Sequence, residues 1–142
     1  MTRSSNTEPS ILVIDDERDL VDVITGLLNH AGLAARGTTD PDEAVRLVTQ
    51  NDAIKLILAD VRMPIMTGPE VIRLALRSRS DEVRVAFMSG TQTHFYFRRT
   101  DLFLGKPLQF DVLVTALRQA LTEKPKTLPW TGHERRRHAL QR

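Results

Sequence analysis

Two short runs of branched apolar residues, each ended by an aspartate, constrain the fold of this chain most. Ile11–Ile14 stops at Asp15 and Asp16, and Leu56–Ala59 stops at Asp60. Runs this short and this uniformly apolar are typical of strands buried on both faces, which occur in parallel sheets covered by helices. The sequence therefore predicts an α/β protein with carboxylates at the carboxyl ends of its central strands.

Helical patterns separate these runs. Apolar residues at helical spacing predict a first helix that ends near Ala31, with Gly32 as its C-terminal cap. Asp40 and Glu43 predict a capping box for a second helix ending near Thr49, and Thr67 with Glu70 predict another for a third helix running to about Arg79. The other predicted elements are strands at Leu33–Arg36, Val83–Met88 and Asp101–Leu104, and a final helix from about Phe110 with Leu113, Leu117 and Leu121 on one face.

This alternation predicts a parallel sheet with helices on both faces, joined by right-handed crossovers. In open sheets of this kind the ligand site lies beyond the carboxyl ends of the strands. Five polar residues follow predicted strand ends: Asp15, Asp16, Asp60, Ser89 and Lys106. We therefore expect them to meet in one pocket.

Crowded carboxylates repel one another, and a divalent cation resolves that conflict. Mg²⁺ prefers hard oxygen ligands in an octahedron. Asp16, Asp60 and a backbone carbonyl just after Asp60 would bind the ion, and Asp15 would hold a metal-bound water. Asp60 could also attack phosphorus to form an aspartyl-phosphate, with Lys106 and Ser89 neutralising phosphoryl oxygens.

These motifs resemble those of a response-regulator receiver domain of two-component signalling. The resemblance covers about residues 10–123 and rests on Ile11–Glu17, Leu58–Pro64 with Gly68, Met88–Gly90, and Lys106-Pro107. It implies a flavodoxin-like fold with a five-stranded parallel sheet. It also implies phosphotransfer to Asp60 from a sensor histidine kinase or phosphotransfer protein. Slow self-dephosphorylation without a separate substrate is implied too, so the chain is not expected to be an enzyme.

The resemblance also assigns individual roles. It implies a Mg²⁺ site formed by Asp15, Asp16, Asp60 and the backbone carbonyl of Arg62. Ser89 becomes the switch hydroxyl, Lys106 the phosphate-binding lysine, and Phe103 an aromatic that changes rotamer. The Lys106–Pro107 bond is expected to be cis, and the side chains of Arg62 and Thr91 match positions that tune the phosphoryl lifetime.

Plainer interpretations remain open at several of these residues. Asp16 could simply cap the first helix, since aspartate is favoured there. Lys106 could be a surface lysine before a turn proline. On sequence grounds alone, Phe103 is more typical of a core residue than of a switch.

The chain departs from the family between Ser89 and Lys106, which are 17 positions apart. The usual spacing is about five residues longer, more than one helical turn. The fourth helix is therefore predicted to be shortened or absent. The surface that the family usually uses for output and dimerisation is then not predicted for this chain. Residues 91–100 contain Phe95, Tyr96 and Phe97, and we interpret them as a mobile output element, or else as aromatics folded into the core.

The composition excludes several kinds of chemistry and of membrane attachment. The chain has no cysteine, which excludes disulfides and thiol chemistry, and no apolar run long enough for a membrane helix. We predict a flexible N-terminus at residues 1–9, a receiver domain at 10–123, and a basic tail or linker start at 124–142. A cytoplasmic location without membrane insertion is expected, and the tail is interpreted as solvated rather than as a nucleic-acid contact.

The leading hypothesis is a phosphorylation-dependent switch that alters contacts with a downstream protein target. Three alternatives stay open: a pseudo-receiver that is never phosphorylated, the N-terminal part of a longer DNA-binding response regulator, and a small metal-dependent phosphohydrolase. The sequence does not indicate the kinase, the target or whether the chain dimerises.

Overall fold

The computed structural model describes residues 8–77, 79, 82–90 and 102–123. Within these ranges the strands form one parallel sheet in the order β2-β1-β3-β4-β5. The predicted α/β class and the five-stranded flavodoxin-like sheet are confirmed. The elements are β1 (Ile11–Ile14), α1 (Arg18–His30), β2 (Ala35–Thr38), α2 (Pro41–Gln50), β3 (Leu56–Asp60), α3 (Gly68–Ala75), β4 (Arg84–Ser89), β5 (Leu102–Gly105) and α4 (Phe110–Thr122).

Helices cover both faces of the sheet, which explains why β1 and the first four residues of β3 are all apolar. Alternate residues of a strand point to opposite faces. Leu12 and Ile57 lie in the cluster that α2 and α3 cover, whereas Val13 and Leu58 lie in the cluster that α1 and α4 cover. Among the described residues, no helix is long and apolar enough to cross a membrane.

The end of α1 shows why the second strand starts later than predicted. Gly32 adopts a positive φ of 87°, as its predicted capping role requires. The backbone N–H of Leu33 then donates to the carbonyl of Leu28 at 2.8 Å, so Leu33 still belongs to the helix cap. The prediction of a strand at Leu33–Arg36 was therefore two residues too early.

The two predicted capping boxes have different outcomes. At α3, the side chains of Thr67 and Glu70 each accept a hydrogen bond from the other residue's backbone N–H, which confirms the box. At α2, Asp40 caps the helix by accepting from the N–H of Asp42, but Glu43 does not complete a box. The carboxylate of Glu43 instead accepts from the hydroxyl of Thr38. That part of the prediction was wrong because the backbone N–H of Asp40, which would complete the box, donates to the hydroxyl of Thr38 at 3.0 Å.

Helix α3 ends at Ala75 rather than near Arg79, and the Arg79 side chain folds into the protein. Arg79 is only 5% exposed. Its guanidinium donates at 2.9–3.0 Å to four backbone carbonyls, one in α2 and three in the connection from α2 to β3. These carbonyls belong to Val48, Asn51, Asp52 and Ile54. In a helix continued to residue 79, Arg79 would be an ordinary exposed arginine. In the structure its side chain instead joins the segment after α3 to the segment between α2 and β3.

The connection from β4 to β5 is short, since β4 ends at Ser89 and β5 begins at Leu102. This agrees with the predicted shortening or absence of a fourth helix. The predicted output element, residues 91–100, lies outside the described residues. So do residues 1–7 and 124–142, and the predicted domain boundaries therefore stay predictions.

We expect Arg79→Met to lower the free energy of unfolding by about 3 kcal/mol, because four backbone carbonyls, two of them in buried hydrogen bonds, lose a charged donor. Urea unfolding followed by circular dichroism measures this loss. Arg77→Met is the matched control, since Arg77 is exposed, and it should change stability by less than about 0.5 kcal/mol. Equal effects of the two substitutions would contradict the anchoring role of Arg79.

Candidate functional site

The register of the sheet brings the predicted site residues to one edge. Ile14 of β1 pairs with Ala59 of β3. Asp15, directly after β1, and Asp60, the last residue of β3, therefore lie at the same level of the sheet. Ser89 pairs with Gly105, and the backbone N–H of Lys106 donates to the carbonyl of Ser89 at 2.8 Å. All of these residues therefore lie at the carboxyl edge of the sheet, where the sequence predicted a pocket.

Asp15 is fully buried, and protein groups occupy both of its carboxylate oxygens. Its Oδ1 accepts from the backbone N–H of Glu17 at 3.0 Å. Its Oδ2 accepts from the Lys106 ammonium, also at 3.0 Å. Glu17, rather than Asp16, occupies the N-cap position of α1, so the capping alternative for Asp16 is not supported.

The Lys106 ammonium lies between two carboxylates. Besides its contact with Asp15, Nζ is 3.5 Å from Oδ2 of Asp60, and the lysine side chain is only 19% exposed. The interpretation of Lys106 as an ordinary surface lysine was therefore wrong. The predicted cis peptide between Lys106 and Pro107 is confirmed.

Burial dominates the electrostatics of Asp60. It raises the pKa of the Asp60 carboxyl above its usual value near 3.8, and the negative charge of Asp15 raises it further. Lys106 and the backbone N–H of Arg62 oppose this rise only in part. For Lys106, burial acts to lower the pKa, but the hydrogen bond and charge of Asp15, followed by those of Asp60, outweigh it and raise the pKa. The pocket thus holds more negative charge than one ammonium compensates.

Three carboxylates offer a site for a divalent cation. The nearest ligand atoms of Asp15, Asp16 and Asp60 lie within 4.8 Å of one another, and Asp16 is exposed to solvent. This all-oxygen, acidic donor set fits Mg²⁺, which keeps several waters and takes few protein ligands. Since both oxygens of Asp15 already accept hydrogen bonds, Asp16 and Asp60 are the better placed direct ligands. The backbone carbonyl of Arg62 as a further ligand stays a prediction.

A cavity of about 370 Å³ opens beside Asp60. Its volume exceeds the roughly 30 Å³ that one water occupies by about tenfold, so it has room for a phosphoryl group and a hydrated ion. Its lining includes the predicted switch residue Ser89 and the side of Arg62. The lining residues are Asp16, Glu17, Asp60, Arg62, Ser89, Gly90 and Lys106.

Phe103 does not lie in the core, although its sequence context favoured that interpretation. Its side chain is 43% exposed on β5, directly opposite the buried Phe87 of β4. The core interpretation was wrong because β5 is an edge strand of the sheet described here. The rotamer change that the resemblance implies for Phe103 stays a prediction.

Gly68 has a positioning role that its place in the motif did not reveal. A Cβ at Gly68 would lie 2.2 Å from the backbone oxygen of Asp60, a contact that real side chains do not make. The N–H of Gly68 also donates to the carbonyl of Val61 at 2.9 Å. The absence of a side chain thus lets α3 begin directly against the end of β3. The Thr67–Glu70 capping box fixes where the helix starts and was the available sequence signal.

We expect Asp60→Asn to stabilise the metal-free protein, because burial and the charge of Asp15 raise the pKa of the Asp60 carboxyl and so oppose its ionisation. A raised folded-state pKa means that the carboxylate's contribution is favourable below the unfolded pKa and is lost as pH rises through the folded pKa. The advantage of the variant should therefore grow as pH rises above about 3.8 and then level off. Urea unfolding in EDTA across that range measures it.

Gly68→Ala should lower stability by about 1–3 kcal/mol, the usual cost of overpacking, because the new methyl meets backbone rather than a flexible side chain. The displaced loop carries Arg62, so the pocket should change as well. Thermal unfolding and the chemical shift of the Arg62 amide measure both effects. Gly26→Ala is the control, because a Cβ at Gly26 meets nothing within 4 Å and favours the helix. Unchanged stability in Gly68→Ala would show that α3 can move away without cost.

Comparisons with known proteins agree with this geometry. The sequence matches the response regulator receiver domain family over residues 11–118. It is 28% identical over 120 residues to the response regulator SaeR of Staphylococcus aureus, covering 82% of this chain and 52% of the relative. The chain thus spans about half the length of the curated relatives it matches.

Solved structures show the same fold. A two-component transcriptional regulator AraC from Clostridium phytofermentans aligns with a TM-score of 0.68 and 28% identity, over 80% of this chain and 91% of that one. A receiver protein from Pseudomonas putida aligns with a TM-score of 0.70 and 23% identity, over 80% and 98% of the two chains. Because the family match covers most of the sequence and every strand of the sheet, this chain belongs to the response regulator receiver domain family of two-component systems.

Proposed function

We propose that this chain is a phosphorylation-dependent switch in which Asp60 accepts a phosphoryl group from a sensor histidine kinase or phosphotransfer protein. The placement of Asp60 is the observation that carries the proposal. Its carboxylate lines a cavity, 3.5 Å from the Lys106 ammonium and beside two further carboxylates. A carboxylate nucleophile beside an ammonium, in a pocket that suits a divalent cation, supports the formation of an aspartyl-phosphate.

In the transfer, an Asp60 oxygen forms a bond to phosphorus while the bond between phosphorus and the donor breaks. The donor leaves with the electron pair of that bond. The ammonium of Lys106 stands where it can neutralise one phosphoryl oxygen, and the hydroxyl of Ser89 at the end of β4 can donate to another. Mg²⁺ bound by Asp16 and Asp60 would neutralise the crowded carboxylates and the remaining phosphoryl oxygen.

The contacts of Lys106 suggest how the switch is coupled to the site. In the structure described here Lys106 is held mainly by Asp15 at 3.0 Å. A phosphoryl group on Asp60 adds negative charge on the other side of the ammonium, so Lys106 should shift toward it. Lys106 follows directly after β5, the strand that carries Phe103. We propose that Ser89 and Phe103 respond to this movement and alter contacts with a downstream protein target.

A second candidate deserves a test, because SaeR is about twice as long as the matched region. Residues 8–123 would then be the receiver part of a longer regulator, and an output domain would carry the effect of phosphorylation. A pseudo-receiver is disfavoured by the full set of Asp15, Asp16, Asp60 and Lys106. The cytoplasmic location and the 91–100 output element stay predictions.

We expect acetyl phosphate with Mg²⁺ to add one phosphoryl group, about 80 Da, to the wild-type chain and none to Asp60→Asn. The variant keeps the shape of the side chain and removes the nucleophile, so its rate should fall below detection. Intact-mass spectrometry measures the product, and EDTA should abolish it in the wild-type chain.

Two further variants make this test specific. Asp111→Asn removes an exposed carboxylate of α4 and should be phosphorylated at the wild-type rate. Asp16→Asn should react at least tenfold more slowly at equal Mg²⁺, because it removes an expected metal ligand. Phosphorylation of Asp60→Asn at the wild-type rate would refute the proposal. Multiple turnovers on free phosphoesters would favour the phosphohydrolase alternative instead.

A further inference from the structure

Strand β2 forms one edge of the sheet. Among the described residues β2 has a single neighbouring strand, β1. The carbonyl of Ala34 accepts from the N–H groups of Ser10 and Ile11, at 2.9 and 3.1 Å, and so points toward β1. Because backbone groups alternate in direction along a strand, the N–H and C=O groups of Ala35 and Gly37 point outward. Outward-pointing groups of this kind are a template for pairing with another strand.

The side chain of Asn29 binds the outward-pointing backbone groups of Ala35. Its Oδ1 accepts from the backbone N–H of Ala35 at 2.9 Å, and its Nδ2 donates to the backbone carbonyl of Ala35 at 3.1 Å. One amide group thus makes both hydrogen bonds that a residue on a neighbouring strand would make. Asn29 lies in the last turn of α1, so the helix itself closes this part of the edge.

Gly37 explains why α1 can reach the edge. A Cβ at Gly37 would lie 2.2 Å from Cγ1 of Val21 and 2.9 Å from Cγ2 of Thr25. Val21, Thr25 and Asn29 are spaced four residues apart, so they form one stripe on α1 over β2. With no side chain at Gly37, this stripe lies low on the strand, and its last member reaches Ala35.

Two other features of β2 also act against pairing with another strand. The strand has only four residues, and it carries the half-exposed cation Arg36. Short edge strands with charged side chains are common protections against edge-to-edge association. The space beside the edge is nevertheless open, since a cavity of about 360 Å³ lies along Thr25, Asn29 and residues 34–37.

We propose that Asn29 blocks antiparallel pairing of β2 with β2 of a second copy of this chain. A second copy fits because the outward groups of Ala35 and Gly37 are self-complementary about Arg36. Around a two-fold axis there, Ala35 of each copy would exchange hydrogen bonds with Gly37 of the other. Asn29 competes directly for the Ala35 half of that pairing. A residue that only capped α1 would stabilise the monomer without affecting which chains pair.

The test uses the absence of natural cysteines, because an introduced thiol is then the only one in the chain. In the pairing described, the two copies of residue 36 face each other with Cα atoms about 4.5 Å apart, within the range for a disulfide. Arg36→Cys is prepared with Asn29 intact and combined with Asn29→Ala. Mild oxidation at equal protein concentration should give at least about fivefold more disulfide-linked dimer when Asn29 is replaced.

Two measurements separate this role from simple stabilisation. Hydrogen exchange of the Ala35 amide should become about fivefold faster in Asn29→Ala, the change that one lost hydrogen bond produces. Ile24→Val combined with Arg36→Cys is the control, because it perturbs the buried face of the same helix without touching the edge. The proposal is overturned if the control cross-links as much as Asn29→Ala. It is equally overturned if cross-linking or Ala35 exchange is unchanged by Asn29→Ala.

Discussion

The contact of one ammonium group with two carboxylates organises the functional edge of this protein. Lys106 lies 3.0 Å from Asp15 and 3.5 Å from Asp60, so it joins the ends of β1 and β3 to the segment after β5. Burial would disfavour each of these charges alone, and their proximity makes the arrangement tolerable. The balance is incomplete, because Asp16 adds a third carboxylate. A pocket with surplus negative charge is prepared for a divalent cation, which explains why acidic residues cluster at strand ends here.

Much of the fold could be predicted because its signals are local. The buried strands at Ile11–Ile14 and Leu56–Asp60 follow from uninterrupted apolar runs, and the start of α3 follows from a capping box and a proline. The coming together of Asp15, Asp60 and Lys106 could also be predicted, because parallel strands place all their carboxyl ends at one edge. Their mutual distances and the hydrogen bonds that hold Asp15 could not, since these depend on the register between strands.

The errors arise where a sequence pattern competes with a contact that the pattern does not include. Glu43 fits a capping-box pattern, yet it accepts from Thr38 across the turn. Arg79 fits the continuation of a helix, yet its side chain donates to four carbonyls at the end of α2 and in the connection that follows it. Phe103 has an apolar context, yet it lies on an edge strand with part of its ring in solvent. Only the contacts of Arg79 join residues far apart in the sequence, whereas Glu43 has two competing partners within a few residues and the exposure of Phe103 depends on the order of the strands.

The two glycines with the tightest surroundings, Gly68 and Gly37, determine how closely two helices pack against the sheet. Gly68 lets α3 begin against the backbone of Asp60, and Gly37 lets α1 lie low over β2. At the first position close packing fixes the end of β3, on which Asp60, the proposed nucleophile, lies. At the second it brings Asn29 to the outward face of Ala35. A sheet of five parallel strands necessarily has two edges, and β5 and β2 occupy them in the described part of the chain. Since β5 leads directly into Lys106, the movement proposed for the pocket would act on that edge. The β2 edge, tied to α1 through Asn29, is better suited to remain unchanged when the switch acts.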